Sequence, residues 1–214
     1  MLEISPRPTR RTRAKHETKK PSIEERLLAA TERLLGQGQN FGSLTVAQLT
    51  KEAGMARATF YLHFKDKGEL VARLIDQLTQ EMILSFGVWT RNAERAKQAD
   101  VRVAVEGMIR TFKKHQTIIS AVRDTMATDE NVSMLYVKMG KTIASLASES
   151  ISTVARQGSG RKEAGPDIAD ALTWSIVLWC THFIGQSDEK ELNKTIKVFS
   201  VICNSTIFSD EPFS

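Results

Sequence analysis

Arg57, Ala58, Thr59, Tyr61 and His63 crowd into one short stretch of this 214-residue chain, and together they form a set suited to nucleic acid. A guanidinium can donate two hydrogen bonds to guanine, and the methyl of Ala or Thr can meet the thymine methyl. A phenol hydroxyl or an imidazole can reach a phosphate oxygen, which positions a protein without reading sequence. Thr45 and Lys67 stand at the starts of two neighbouring predicted helices, where free backbone amides and a partial positive charge favour an anion. Both are expected to position on phosphates. Phe60 and Phe64, four residues apart, mark the face of the same stretch that must pack inward.

Such side chains need a rigid carrier, and residues 44–67 read as two short helices around a turn at Gly54, a helix-turn-helix. Three capping boxes support the frame: Ser22 with Glu25, Thr45 with Gln48, and Asp66 with Glu69. Ile23, Leu27, Ala30 and Leu34 form the buried stripe of the first helix, which ends at Gly36 or Gly38. After Asp66 the stripe Leu70, Leu74, Leu78 and Met82 predicts a helix that runs to about Trp89 or beyond and bridges into the rest of the protein.

The succession Thr45-Val46, Ala53-Gly54, Ala58-Thr59-Phe60-Tyr61-Leu62-His63-Phe64 and Lys65-Asp66-Lys67-Gly68-Glu69-Leu70 resembles the DNA-binding segment of tetracycline-repressor (TetR) family regulators. The resemblance runs from Ser22 to about Leu74. It implies a recognition helix in the major groove, with Arg57, Ala58, Thr59, Tyr61 and His63 facing the bases and Lys67 on a phosphate. It also implies a homodimer on a palindromic operator and an inducer cavity in a second, helical domain. One position departs from the family: Ala56 opens the recognition helix where Ser is frequent, and Ala cannot cap.

Hydrophobic residues make up 41% of the chain, enough for a packed core, and apolar positions recur every three or four residues almost throughout. An all-α protein of about nine helices follows, with residues 1–21 as a basic arm, 22–65 as the helix-turn-helix domain and 66–214 as a helical effector-binding and dimerisation domain. The net charge of +5 is accounted for by the arm, where Arg7, Arg10, Arg11, Arg13, Lys15, Lys19 and Lys20 face only Glu3 and Glu17. The arm reads as solvated, the alternative being a minor-groove reader. Basicity alone therefore does not argue for DNA; the helix-turn-helix does.

Five further helices are predicted over 100–115, 117–127, 131–157, 166–186 and 188–208, with the Gly- and Ser-rich stretch 158–166 as a linker and Pro166 in the first turn of a helix. Two apolar stripes are assigned to a dimer surface: Ile168, Leu172, Ile176, Trp179 and Phe183, and Leu192, Ile196, Phe199 and Cys203. Two-fold heads would read half-sites roughly 34 Å apart. The second domain is rich in Met and aromatic residues, as either a core or an adaptable pocket is. Given the implied cavity, Trp89, Met108, Phe112, Met126, Tyr136, Met139, Trp174 and Leu178 are its candidate lining, and Thr173, Ser175, Thr181, His182 and Asn204 its candidate polar anchors. The expected ligand is small and apolar or aromatic.

Catalysis is not expected: the four histidines lack metal-ligand spacing, no Gly-x-Ser-x-Gly elbow occurs, and no cofactor or metal is implied. Cys180 and Cys203 read as buried hydrophobes of a reducing cytoplasm. No run is read as long and apolar enough to span a bilayer, and no signal segment is recognised. The function that follows is a DNA-binding regulator, a homodimeric repressor released by a small ligand. Activation, action without an effector, and non-specific DNA coating remain alternatives.

Overall fold

The computed structural model describes residues 21–209, and the basic arm lies outside the described residues but for Pro21. Ten α-helices follow in order: α1 (Ile23–Gly36), α2 (Val46–Glu52), α3 (Arg57–His63), α4 (Lys67–Ser85), α5 (Val88–Arg91), α6 (Gln98–Lys114), α7 (Gln116–Met126), α8 (Glu130–Arg156), α9 (Pro166–Phe183) and α10 (Glu189–Ile207). Among the described residues no strand forms, and Gly160 and Phe208 make one isolated bridge. An N-terminal helix-turn-helix domain thus precedes a C-terminal helical domain.

The helix starts follow their caps. Ser22 Oγ accepts from the Glu25 amide at 3.1 Å while Glu25 accepts from the Ser22 amide at 2.6 Å. Thr45 and Gln48 repeat the exchange at 3.2 and 2.8 Å. At α4 only half of the box forms: Asp66 Oδ1 accepts from the Glu69 amide, but the Glu69 carboxylate accepts from Lys65 N at 2.8 Å instead of from Asp66. The long bridging helix expected after Asp66 stops at Ser85. Gly87 takes φ of +57°, open to glycine at little cost, and the chain restarts as the four-residue α5. That break supplies the helix beyond the nine expected.

In the C-terminal domain α8, at 27 residues the longest helix, packs on α9 and α4, while α6 lies against α10 and α4. Trp174 of α9 seats on Gly140 of α8 so closely that a Cβ there would stand 2.4 Å from the indole. The N-terminal domain meets this body through α4 and also through α7, which packs on α1, with Asn40 Nδ2 donating to Asp124 Oδ2 at 3.1 Å.

The expectation that no run is long and apolar enough to span a bilayer is not met. Residues 166–186 have the length and, with a mean hydropathy of 1.3, the composition of a membrane-crossing helix. The physical reason is that α9 is apolar on two faces: Ile176, Val177 and Cys180 enter the core while Leu178 and Phe183 stay outside.

Candidate nucleic-acid interface and C-terminal cavity

The recognition surface is built from the inside of α3 outward. Phe60 and Phe64 are fully buried with ring centroids 5.2 Å apart, anchoring the helix. The opposite face then presents Arg57, Ala58, Tyr61 and His63 to solvent, with Thr59 half-buried. Tyr61 packs edge-on to Phe60 at 5.4 Å and is 52% exposed, so its ring is held and its hydroxyl is out. Ala56 makes no capping bond, as its side chain dictates. From α1, Arg26 Nη2 donates to the carbonyls of Ala53 and Gly54 at 2.8 and 2.7 Å, and Arg33 pairs with Glu52 at 2.5 Å. These two arginines fix the turn between α2 and α3, and nothing local in the sequence pointed to them.

Leu62 was also missed. It is 81% exposed, the most exposed large apolar side chain among the described residues, and lies one turn beyond Ala58 on the outward face. An apolar group so placed suits the thymine methyl. Its signal was available: Leu62 falls outside the Phe60–Phe64 stripe, so burial could not account for it.

Two phosphate assignments look different in three dimensions. Thr45 is exposed, but its hydroxyl proton goes to Gln48 Oε1 at 2.8 Å. The Lys67 ammonium donates to the carbonyls of Phe41, Gly42 and Leu44 at 3.3, 3.0 and 2.5 Å, three bonds for its three donors. Partial burial lowers its pKa from the usual lysine value. Lys67 thus ties the start of α4 to the turn before α2.

A cavity of about 60 Å³ lies in the C-terminal domain, walled by Phe86 at the end of α4, Trp89 of α5, and residues of α6, α8, α9 and α10. Of the sequence candidates, Trp89 and Met108 line it. The others do not, each for its own reason. Phe112 and Met139 are packed in the core, and Met126 lies partly buried against it. Tyr136 bonds through its hydroxyl to Thr181 Oγ1 at 2.7 Å, Trp174 is pressed onto Gly140, and Leu178 is 47% exposed on the outer face of α9. Among the polar anchors, Ser175 and Thr181 donate to their own helix, His182 Nδ1 lies 2.9 Å from Leu178 O, and Asn204 donates to Gln98 O. Thr173 alone of the five lines the cavity.

The dimer stripes are corrected in the same way. Ile176, Leu192, Ile196 and Cys203 are buried in the chain's own core, and Leu172, Ile176 and Cys203 face the cavity. Ile168 is half-buried. Trp179, Phe183 and Phe199 instead line an open groove between α9 and α10, with Trp179 edge-on to Phe199 at 6.1 Å. Val198, Val201 and Ile202, unassigned from sequence, and Leu178, assigned there to the ligand cavity, make the exposed apolar surface around it.

Comparison with known proteins agrees with this architecture. The model for bacterial regulatory proteins of the tetR family matches residues 27–74. The HTH-type transcriptional regulator EthR of Mycobacterium tuberculosis is 27% identical over 123 residues, 56% of this chain and 56% of EthR, so the match spans little more than half of that relative. EthR of Mycolicibacterium smegmatis is 27% identical over 157 residues, 72% of this chain and 69% of its own. Among solved structures, a SmeT–triclosan complex aligns with a TM-score of 0.68 at 17% identity, covering 89% of this chain and 94% of that one; SmeT is the repressor of the Stenotrophomonas maltophilia multidrug efflux pump SmeDEF.

Proposed function

We propose that this chain, whose residues 27–74 match the tetR family of bacterial regulatory proteins, is a DNA-binding transcriptional regulator of that family and acts in the cytoplasm as a homodimeric repressor. On this reading two copies of α3 enter successive major grooves of a palindromic operator, and a small apolar molecule in the C-terminal cavity releases them. The observation that carries the reading is the two-sided α3, with Phe60 and Phe64 buried behind a solvent face of Arg57, Ala58, Tyr61, Leu62 and His63. Triclosan, bound by the structural neighbour SmeT, is the kind of molecule such a cavity would take.

The proposed dimer uses the outer faces of α9 and α10, around Trp179, Phe183, Phe199, Leu178, Val198 and Ile202. An apolar groove of this kind is costly to leave in water. Release requires the effector to prefer the DNA-incompetent state; a hundredfold loss of operator affinity corresponds to about 2.7 kcal/mol, an ordinary coupling energy.

Selection of binding sites from random duplexes by the purified protein tests this reading. A palindrome is expected. Arg57→Ala should cost about 1–3 kcal/mol and relax preference at one base position, while Tyr61→Phe should weaken all sequences alike. Recovery of no sequence above non-specific background would overturn the reading.

A further inference from the structure

The cavity is selective in its chemistry. No Asp, Glu, Lys, Arg or His lines it, and burial pushes the Cys203 thiol up to about 12, leaving a neutral sulfur there. An ionised guest would lose its hydration and find no countercharge.

Thr173 is the exception on an apolar wall. Every other buried Ser or Thr among the described residues bonds back to the carbonyl four residues earlier: Thr31, Thr50, Thr79, Ser150, Thr181, Ser187 and Ser200. Thr173 is 5% exposed and lines the cavity, and its hydroxyl makes no such back-bond; the atom is not sealed off, the buried unpartnered side-chain atoms among the described residues being His115 Nδ1 and Asn204 Oδ1. A hydroxyl on that wall can donate to a ligand oxygen without first giving up a bond to its own helix.

Size adds a mechanical condition. About 60 Å³ is well below the roughly 150 Å³ cavity that holds benzene, so a guest of ten or so heavy atoms enters only if a wall yields. Four of the walls are helices of 17 to 27 residues. The fifth is the turn from Phe86 through Gly87 to Trp89, followed by one turn of helix.

We infer that the cavity is a site for an uncharged molecule with an apolar body and one hydrogen-bonding oxygen, met by the Thr173 hydroxyl, and that the guest is admitted by displacing Phe86 and Trp89. The displacement acts on the C-terminal end of α4, whose other end carries Lys67 and the DNA-binding domain. The regulatory half of this inference rests on the reading of the chain as a ligand-released repressor; the chemistry of the site does not.

Three probes of equal chain length test it: 2-decanone, decanoate and decylammonium, titrated calorimetrically into the full chain below their aggregation limits. The ketone should bind, and the two ions should bind at least roughly a hundredfold more weakly. Thr173→Val should weaken the ketone roughly three- to tenfold while leaving ligand-free operator affinity intact. Ala147→Phe, which fills the cavity, should abolish binding, and Ala147→Leu serves if the larger variant melts early. Failure of the ketone to bind, equal or tighter binding of either ion, or an unchanged ketone affinity in Thr173→Val overturns the site. Binding as described with operator affinity unmoved by saturating 2-decanone supports the site and overturns ligand release.

Discussion

The two ends of α4 sit in regions held together by different physics. Around its start, α2 and α3 are seven residues each, far too short to persist alone, and their placement comes from directional bonds. Arg26 holds the carbonyls of Ala53 and Gly54, Arg33 holds Glu52, and Lys67 holds three carbonyls of the preceding turn. Around its end, long helices meet over broad apolar faces, and their side-chain ties, such as Arg110 to Glu189 and Asn193, Lys113 to the Ile184 and Gly185 carbonyls and Tyr136 to Thr181, are spread over those faces instead of gathered on one turn. Directional bonds fix a geometry to tenths of an ångström, whereas apolar contacts re-form after small slides. The difference suits a rigid reading head on a body that can swell around a guest.

Lys67 offers the largest test of that contrast. Lys67→Met keeps the stem and deletes three charge-assisted bonds, and about 2 kcal/mol of stability should be lost in urea denaturation. If the lysine is a structural tie, the slope of log operator affinity against log salt stays the same. A lysine on a phosphate would instead lower that slope by about 0.9 on removal, with little change in stability. The second pattern would return Lys67 to the DNA and weaken the account of a head held by carbonyl ties.

A smaller effect, of opposite sign, is expected at Ala56. The first amides of α3 lack a side-chain acceptor, and Ala56→Ser should supply one, raising stability by about 1 kcal/mol. Denaturation followed at Tyr61, whose ring packs on Phe60, would report it. No gain would mean that the amides are already satisfied by solvent and that caps matter less in this head than the boxes at Ser22 and Thr45 suggest.

The same contrast explains what was legible in the sequence. Caps, turns and the Phe60–Phe64 pair act within a few residues, so the helix-turn-helix and its outward residues could be read directly. The body could be read as helices but not as faces. In α10 the strongest stripe, Leu192, Ile196 and Cys203, is the one the chain keeps for its own core, and the weaker one of Val198, Val201 and Ile202 is left outside. In α9 both faces are apolar, and periodicity cannot say which turns inward. Trp174 is a candidate cavity residue by its type, yet Gly140, thirty-odd residues away, makes the seat that occupies it. The structural tie at Lys67 was illegible for the same reason: its carbonyl partners lie more than twenty residues upstream.

The smallest effect concerns the one strongly directional tie that the body places on α4. Glu81 accepts from Lys114 Nζ at 2.7 Å and lies 2.8 Å from Nε2 of the buried His115, at the corner where α6 turns into α7. Desolvation alone would raise the Glu81 pKa, but the bonds and charges of Lys114 and His115 outweigh it and hold the carboxyl at about 2. An unfolded glutamate titrates near about 4.3, so the folded value is depressed, and the stability it confers is complete above that pH and fades as pH falls toward 2. Glu81→Gln should therefore be less stable than the natural chain at neutral pH, with the gap narrowing steadily below pH of about 5. A gap that stays constant through that window would show that no ionised latch exists. In that event α4 would be fastened by direction only at its Lys67 end, and the body would be held to it by packing alone.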